Sequence, residues 1–253
     1  RVTTMPDGES PPIYVGYLPA PRREKRFMRV LIPVLLWLGA ITTGLVAWQM
    51  QDPGAGVWDI GNEQTWEGVL RADPYPLLEI DRASESEIVL LVEMGTVGPE
   101  RARAFDGQRV EVNGFELERD GRRIFELVPE DRAISALGGE PASSAPPPTP
   151  VGSITLSGEI MDSKCFLGAM KPGGGQGHRA CAILCIRGGI PPMLVTRDAS
   201  GNASYYLLVG SDGAGLAPDA LDRIGEPVEI TGELSRRGDL MMLAIDPQSV
   251  RGI

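Results

Sequence analysis

The stretch Val30 to Met50, VLIPVLLWLGAITTGLVAWQM, constrains this chain more than any other. It runs 21 residues without a charge, about what one helix needs to cross the ~30 Å hydrocarbon core of a bilayer. A helix packed in a soluble core seldom has every face apolar. Pro33 falls in the first turn, where a missing N–H is tolerated, and Trp48 falls near the far end, where indole favours the interface. Arg22, Arg23, Lys25, Arg26 and Arg29 precede the stretch, whereas the first charge after it is Asp52. The positive-inside rule then predicts residues 1–29 in the cytoplasm and 52–253 outside it. The expected location is the inner membrane of a bacterium, as a single-pass protein with the bulk of the chain in the periplasm. A cleavable signal would have a shorter apolar run of ~7–15 residues and a small-residue cleavage site. A twin-arginine signal would want apolar residues where Lys25 and Arg26 stand.

Within the span, Gly39, Thr43 and Ala47 recur every four residues, with Ala40 and Gly44 beside them. That spacing makes one face small, and small residues let a neighbouring membrane helix approach closely. In the arm before the helix, residues 1–29, the piece 1–23 is too rich in proline to propagate a helix. Its Tyr14, Tyr17 and Leu18 are more apolar than a solvated tail requires. They suit either the headgroup layer or the cytoplasmic face of a partner membrane protein.

Residues 52–253 carry eighteen Lys and Arg against thirty-one Asp and Glu. So acidic a surface argues against nucleic acid, whose phosphates require basic partners. Apolar runs at 65–71, 77–81, 88–94, 109–118 and 122–128 read as strands, with a short helix over 98–105. Five strands with a helix between the third and fourth is the order of an OB-type barrel. A Pro/Ala/Ser linker, residues 140–151, follows.

The second half repeats the first. Val89-Leu90-Leu91 aligns with Leu207-Leu208-Val209, and Gly107, Val110, Val112 and Gly114 align with Gly225, Val228, Ile230 and Gly232, all at an offset of 118. Gly68 aligns with Gly158 at an offset of 90. The predicted fold class is therefore mainly β, a transmembrane helix followed by two tandem OB-like barrels over 57–130 and 153–250. The second barrel carries an insertion of about 28 residues between its first two strands.

That insertion, residues 162–192, holds every cysteine of the chain, Cys165, Cys181 and Cys185, and its only histidine, His178. A short helix over 178–187, ended by Gly188-Gly189, puts His178, Cys181 and Cys185 on one stripe, with Cys165 able to fold over it. Three chemistries fit these residues. Cys165 can form a disulfide with Cys181 or Cys185, leaving one buried thiol. The four together suit a tetrahedral site for Zn or Cu(I). A thiol-redox site is disfavoured, because the close pair is C-x3-C and not C-x2-C. No C-x-x-C-H is present, so covalent c-type haem is not expected. The glycines at 173–177 lack the Lys-Ser/Thr of a phosphate loop and read as slack.

Asp162, Cys165, His178, Cys181, Ala182, Cys185, Gly189, Ile190 and Pro191 follow the pattern D-x-x-C, H-x-x-C-A-x-x-C, G-I-P. In this pattern the segment 154–245 resembles small secreted bacterial proteins of uncharacterised function. The resemblance implies an extracytoplasmic β-domain with a metal or disulfide site, and no reaction. No nucleophile–base pair, carboxylate pair or cofactor fingerprint accompanies it, so no enzyme is expected. Arm, anchor and paired barrels together predict a non-catalytic accessory subunit of an integral membrane protein complex. The expected class of complex is bioenergetic, a photosynthetic reaction centre or a respiratory oxidoreductase. The alternative is a periplasmic metal-binding or redox protein working through the insertion.

Overall fold

The computed structural model describes residues 22–49, 56–81, 86–139, 142, 147–217 and 220–253. Tyr14, Tyr17 and Leu18 lie outside them, as does half of the linker. The chain divides into two units, residues 1–52 and 53–253. In the first, helix α1 (Arg22–Gln49) is long and apolar enough to cross a membrane, and none of its residues is buried. It starts eight residues before the apolar stretch, through the basic cluster. Gly39, Ala40, Thr43, Gly44 and Ala47 are all exposed, and nothing approaches within 4 Å of where a Cβ on Gly39 or Gly44 would stand.

The second unit is mainly β. Its first sheet comprises β1 (Val57–Trp58), β2 (Gln64–Arg71), β3 (Leu77–Ile80), β4 (Glu87–Glu93), β5 (Arg109–Arg119), β6 (Arg122–Leu127) and β7 (Ile134–Ala136). Five of these strands close a barrel in the order β2-β3-β4-β6-β5 and back to β2. Only the β4–β6 pair is parallel. The short helix falls between the third and fourth barrel strands, as a 3-10 turn over Glu100–Phe105. The first half reaches past residue 130, because β7 adds to β5.

The second sheet comprises β8 (Thr149–Asp162), β9 (Pro192–Arg197), β10 (Ala203–Gly210), β11 (Pro227–Arg237), β12 (Leu240–Ile245) and β13 (Arg251–Gly252). Its pairings run β8 to β9, β9 to β10, β10 to β12, β12 to β11 and β11 to β8, and again only β10–β12 is parallel. Pro150 and Val151, expected in the linker, belong to β8. Proline is accommodated because this end of β8 pairs with β11 alone, beside the register shift at Leu234/Ser235.

Register ties the halves together. Gly68 faces Val110 and Gly158 faces Val228, so the offsets of 90 and 118 seen in the sequence hold across the first and fourth strands. In the third strand, Leu90 faces Ile124 while Leu207 faces Met242. The counterpart of Leu90 is thus Leu207, one residue earlier than the sequence alignment gave. Glycine recurs where strand backbones nearly touch. A Cβ on Gly68 would overlap the carbonyl oxygen of Glu79 and one on Gly158 that of Val195; Gly114 and Gly232 stand in the same way against Glu126 and Ala244.

Three apolar cores result. One lies within the first sheet, around Leu70, Leu78, Leu91 and Phe125, and one within the second, around Ile160, Leu208, Ile230 and Leu243. The third lies between the sheets, where Leu77, Leu90, Val92 and Ile124 pack with Met193, Leu207, Val209 and Met242. Alternate residues of β4 and β10 therefore enter different cores, which explains why Ile88–Val92 and Tyr205–Val209 run apolar without a break rather than at every second position.

Candidate metal centre

The insertion leaves β8 at Asp162 and returns at Pro192, its register partner. Asp162 is fully buried and uses both oxygens. Oδ1 accepts the backbone N–H of Cys165 at 2.8 Å, which shapes the tight turn Cys165–Ala169, and Oδ2 lies 3.0 Å from His178 Nε2. His178 is also buried, at the start of helix α2 (Arg179–Arg187). The helix ends at Gly188 and Gly189, and Ile190 N–H caps the carbonyl of Cys185 at 2.9 Å.

Helix α2 presents adjacent stripes to different cores. Ala182 and Ile186 point into the second sheet's own core. Cys185, and Cys181 beside it, meet the core between the sheets, where Cys165 also lies. Cys165 Sγ stands 3.8 Å from Cys185 Sγ and 4.0 Å from Cys181 Sγ. All three cysteines are free. Donor atoms of Cys165, His178 and Cys181 lie within 4.8 Å of one another, as do those of Asp162, Cys165 and Cys185.

The structure thus brings together all four residues singled out in the insertion, with Cys165 at the centre of two overlapping groups. Two thiolates on one tetrahedral metal with ~2.3 Å bonds stand ~3.8 Å apart, the separations found here. The contact of Asp162 with Nε2 fixes the imidazole, as a carboxylate ordinarily does for a metal-binding histidine, and leaves Nδ1 as the nitrogen that would bind a metal. Donor softness and the spacing within each group of three fit Zn²⁺ or Cu⁺, while Cys165, His178, Cys181 and Cys185 do not form one group with all donors within 4.8 Å.

Protonation follows the same geometry. The contact between Cys165 and Cys185, together with burial, pushes the Cys165 thiol up, and the same contact draws Cys185 below the usual thiol range. Burial pushes Cys181 up.

The glycine loop is not slack. A Cβ on Gly173 would strike the Cys165 carbonyl, Gly174 lies against Met161 and Phe166, and Gly175 has φ +76 and donates its N–H to Glu159 Oε1 at 2.7 Å. Only close backbone approach lets this loop cover the cysteines.

Two participants carry no signal in the sequence. Lys164, 4% exposed, pairs with the fully buried Glu126 at 2.5 Å and donates to the carbonyls of Glu93 at 2.7 Å and Gly95 at 2.9 Å. Asp162 was visible only as the first letter of a motif, without a role.

No protein-family model matches the chain, and no curated protein or solved structure matches it either.

Proposed function

We propose that this chain is a non-catalytic, membrane-anchored accessory subunit built on two OB-like barrels that arose by duplication, the second holding Zn²⁺ or Cu⁺ in its insertion. The observation that carries the metal reading is the placement of Cys165 Sγ at 3.8 and 4.0 Å from the other two sulfurs, with His178 alongside. Cys165, Cys181, Cys185 and His178 would hold the ion, and Asp162 would orient the imidazole. A bound ion would supply a cross-link between the 165–169 turn and α2.

The anchor reading rests on α1, apolar and exposed on every side. Such a helix requires lipid, and the small face of Gly39, Thr43 and Ala47 suits a second helix packed within it. On this reading the N-terminus is cytoplasmic, the β unit lies in the bacterial periplasm, and the partner is an integral membrane complex of bioenergetic type.

Purification of the full chain in mild detergent tests both parts. Elemental analysis is expected to find one Zn or Cu per chain, lost when Cys165 and Cys181 are both replaced by Ser. Alkylation without reduction that marks only one cysteine would indicate a disulfide and overturn the metal reading. A stoichiometric membrane partner is expected to co-purify; recovery as a lone monomer would overturn the subunit reading.

A further inference from the structure

The ligands and the contacts between the sheets are interleaved along one short segment. Asp162 and Cys165 face the sulfur cluster. Lys164, between them, reaches across to the first sheet, where its ammonium meets Glu126 on β6 and two carbonyls at the end of β4. Phe166 lies beneath the Arg119 guanidinium of β5, 4.4 Å from ring centroid to Cζ. Gly168 sits so close to Val57 of β1 and Leu117 of β5 that a Cβ would not fit. The turn that supplies Cys165 is therefore also the piece that docks on the first sheet.

Helix α2, which supplies the other ligands, docks on the same neighbourhood from its far end. Gly98 N–H donates to the Gly188 carbonyl at 2.7 Å, and Gly188 abuts the carbonyl of Thr96. Lys164, just before the 165–169 turn, and Gly188, just after α2, thus hold residues 93–98 at the end of β4 and beyond it from two sides.

We infer that metal binding at Cys165, His178, Cys181 and Cys185 acts as a clasp that holds the two sheets together, through Lys164 on one arm and Gly188 on the other. An ion joining the turn to α2 fixes the distance between the arms. Removing it frees each arm to move independently, and the buried Lys164–Glu126 pair then loses the support that keeps it aligned. Because coupling is reciprocal, weakening the grip on the first sheet weakens the metal by the same factor.

This inference rests on the metal reading, and the experiment separates the two. The full chain in detergent, kept reduced, is loaded with Zn²⁺ and compared with the same sample stripped by a chelator, and amide hydrogen exchange is followed in both. Exchange at residues 94–98, Gly98 above all, is expected to rise about tenfold or more on stripping, a coupling of ordinary allosteric size. In a second arm, Glu126→Gln, which removes the charge and keeps the shape, is expected to lower Zn²⁺ affinity about tenfold while all four ligands remain. Zn²⁺ bound at one per chain with unchanged exchange at 94–98 would overturn the clasp and leave the metal site standing. Failure to retain Zn²⁺ or Cu⁺ at all would overturn the site and the clasp together. The stripping arm needs no variant, so it decides the matter even if Glu126→Gln does not fold.

Discussion

Asp162 does two jobs with one carboxylate, and each is separately testable. Asp162→Asn keeps an acceptor for the Cys165 N–H but no longer holds the imidazole by a charged contact. Zn²⁺ affinity, measured by chelator competition, is expected to fall about 10- to 100-fold, as for carboxylates behind other metal-bound histidines; unchanged affinity would reduce Asp162 to a turn cap. Tyr75 offers a second test. Its hydroxyl accepts the Leu216 N–H at 2.9 Å and donates to the Leu208 carbonyl at 3.1 Å, fastening the first sheet to the second. Burial pushes its phenol up to about 12. Below pH ~10 both folded and unfolded phenols are protonated; above it the unfolded phenol ionises first, so stability is lost as pH rises toward 12, by about 3 kcal/mol from this group. Tyr75→Phe, followed by urea denaturation from pH 7 to 11, should be less stable at pH 7 yet decline less steeply above pH 10. At this scale the cysteines and His178 were legible because their types occur nowhere else in the chain. Lys164 and Glu126 were not, because nothing local distinguishes a buried Lys or Glu from a solvated one.

Among the elements, the five strands of the first barrel were read from apolar runs to within a residue or two, because each run enters at least one core, while the short β1, β7 and β13 were not read. Nor was the register of the third strand. With both faces of Ile88–Val92 and Leu207–Val209 buried, these positions are all apolar, and the alternation that would reveal a one-residue slip is absent. Glycine was easier to see than to interpret. Gly68, Gly114, Gly158 and Gly232 recur because a neighbouring strand's carbonyl occupies the place of a Cβ. Gly114→Ala is therefore expected to destabilise the protein by about 1–3 kcal/mol, since backbone cannot yield as a side chain does. Gly177→Ala, in a loop position with nothing within 4 Å, should leave the melting temperature nearly unchanged. Equal effects from the two would remove the steric explanation.

Across the β unit, the sequence offered two modules on a linker, and the structure joins their outer faces in one core. The reason this was hidden is general: a face covered by another domain and a face turned into its own barrel look alike in composition. The shared core makes a definite demand on folding. Leu90, fully buried, belongs to the core between the sheets and to neither sheet's own core. Leu90→Ala should cost about 2–5 kcal/mol, and calorimetry should show one transition moving down as a whole. Two separating transitions, one of them unmoved, would mean that the halves fold independently.

The counterparts that meet in that core are the same positions of the two halves. Leu77 corresponds to Met193, Leu90 to Leu207, Val92 to Val209 and Ile124 to Met242, and all eight lie in one cluster. A patch that meets its own copy is the mark of an isologous, twofold contact. On the duplication proposed above, a chain of a single barrel bearing this face would pair with itself, as a homodimer whose assembly depends on concentration. Linking the copies makes the pairing intramolecular, at an effective concentration in the millimolar range. Covalent linkage also permits what symmetry forbids. A homodimer must carry any insertion twice, whereas the linked pair can devote one copy to the cysteines and leave the other free to receive their grip.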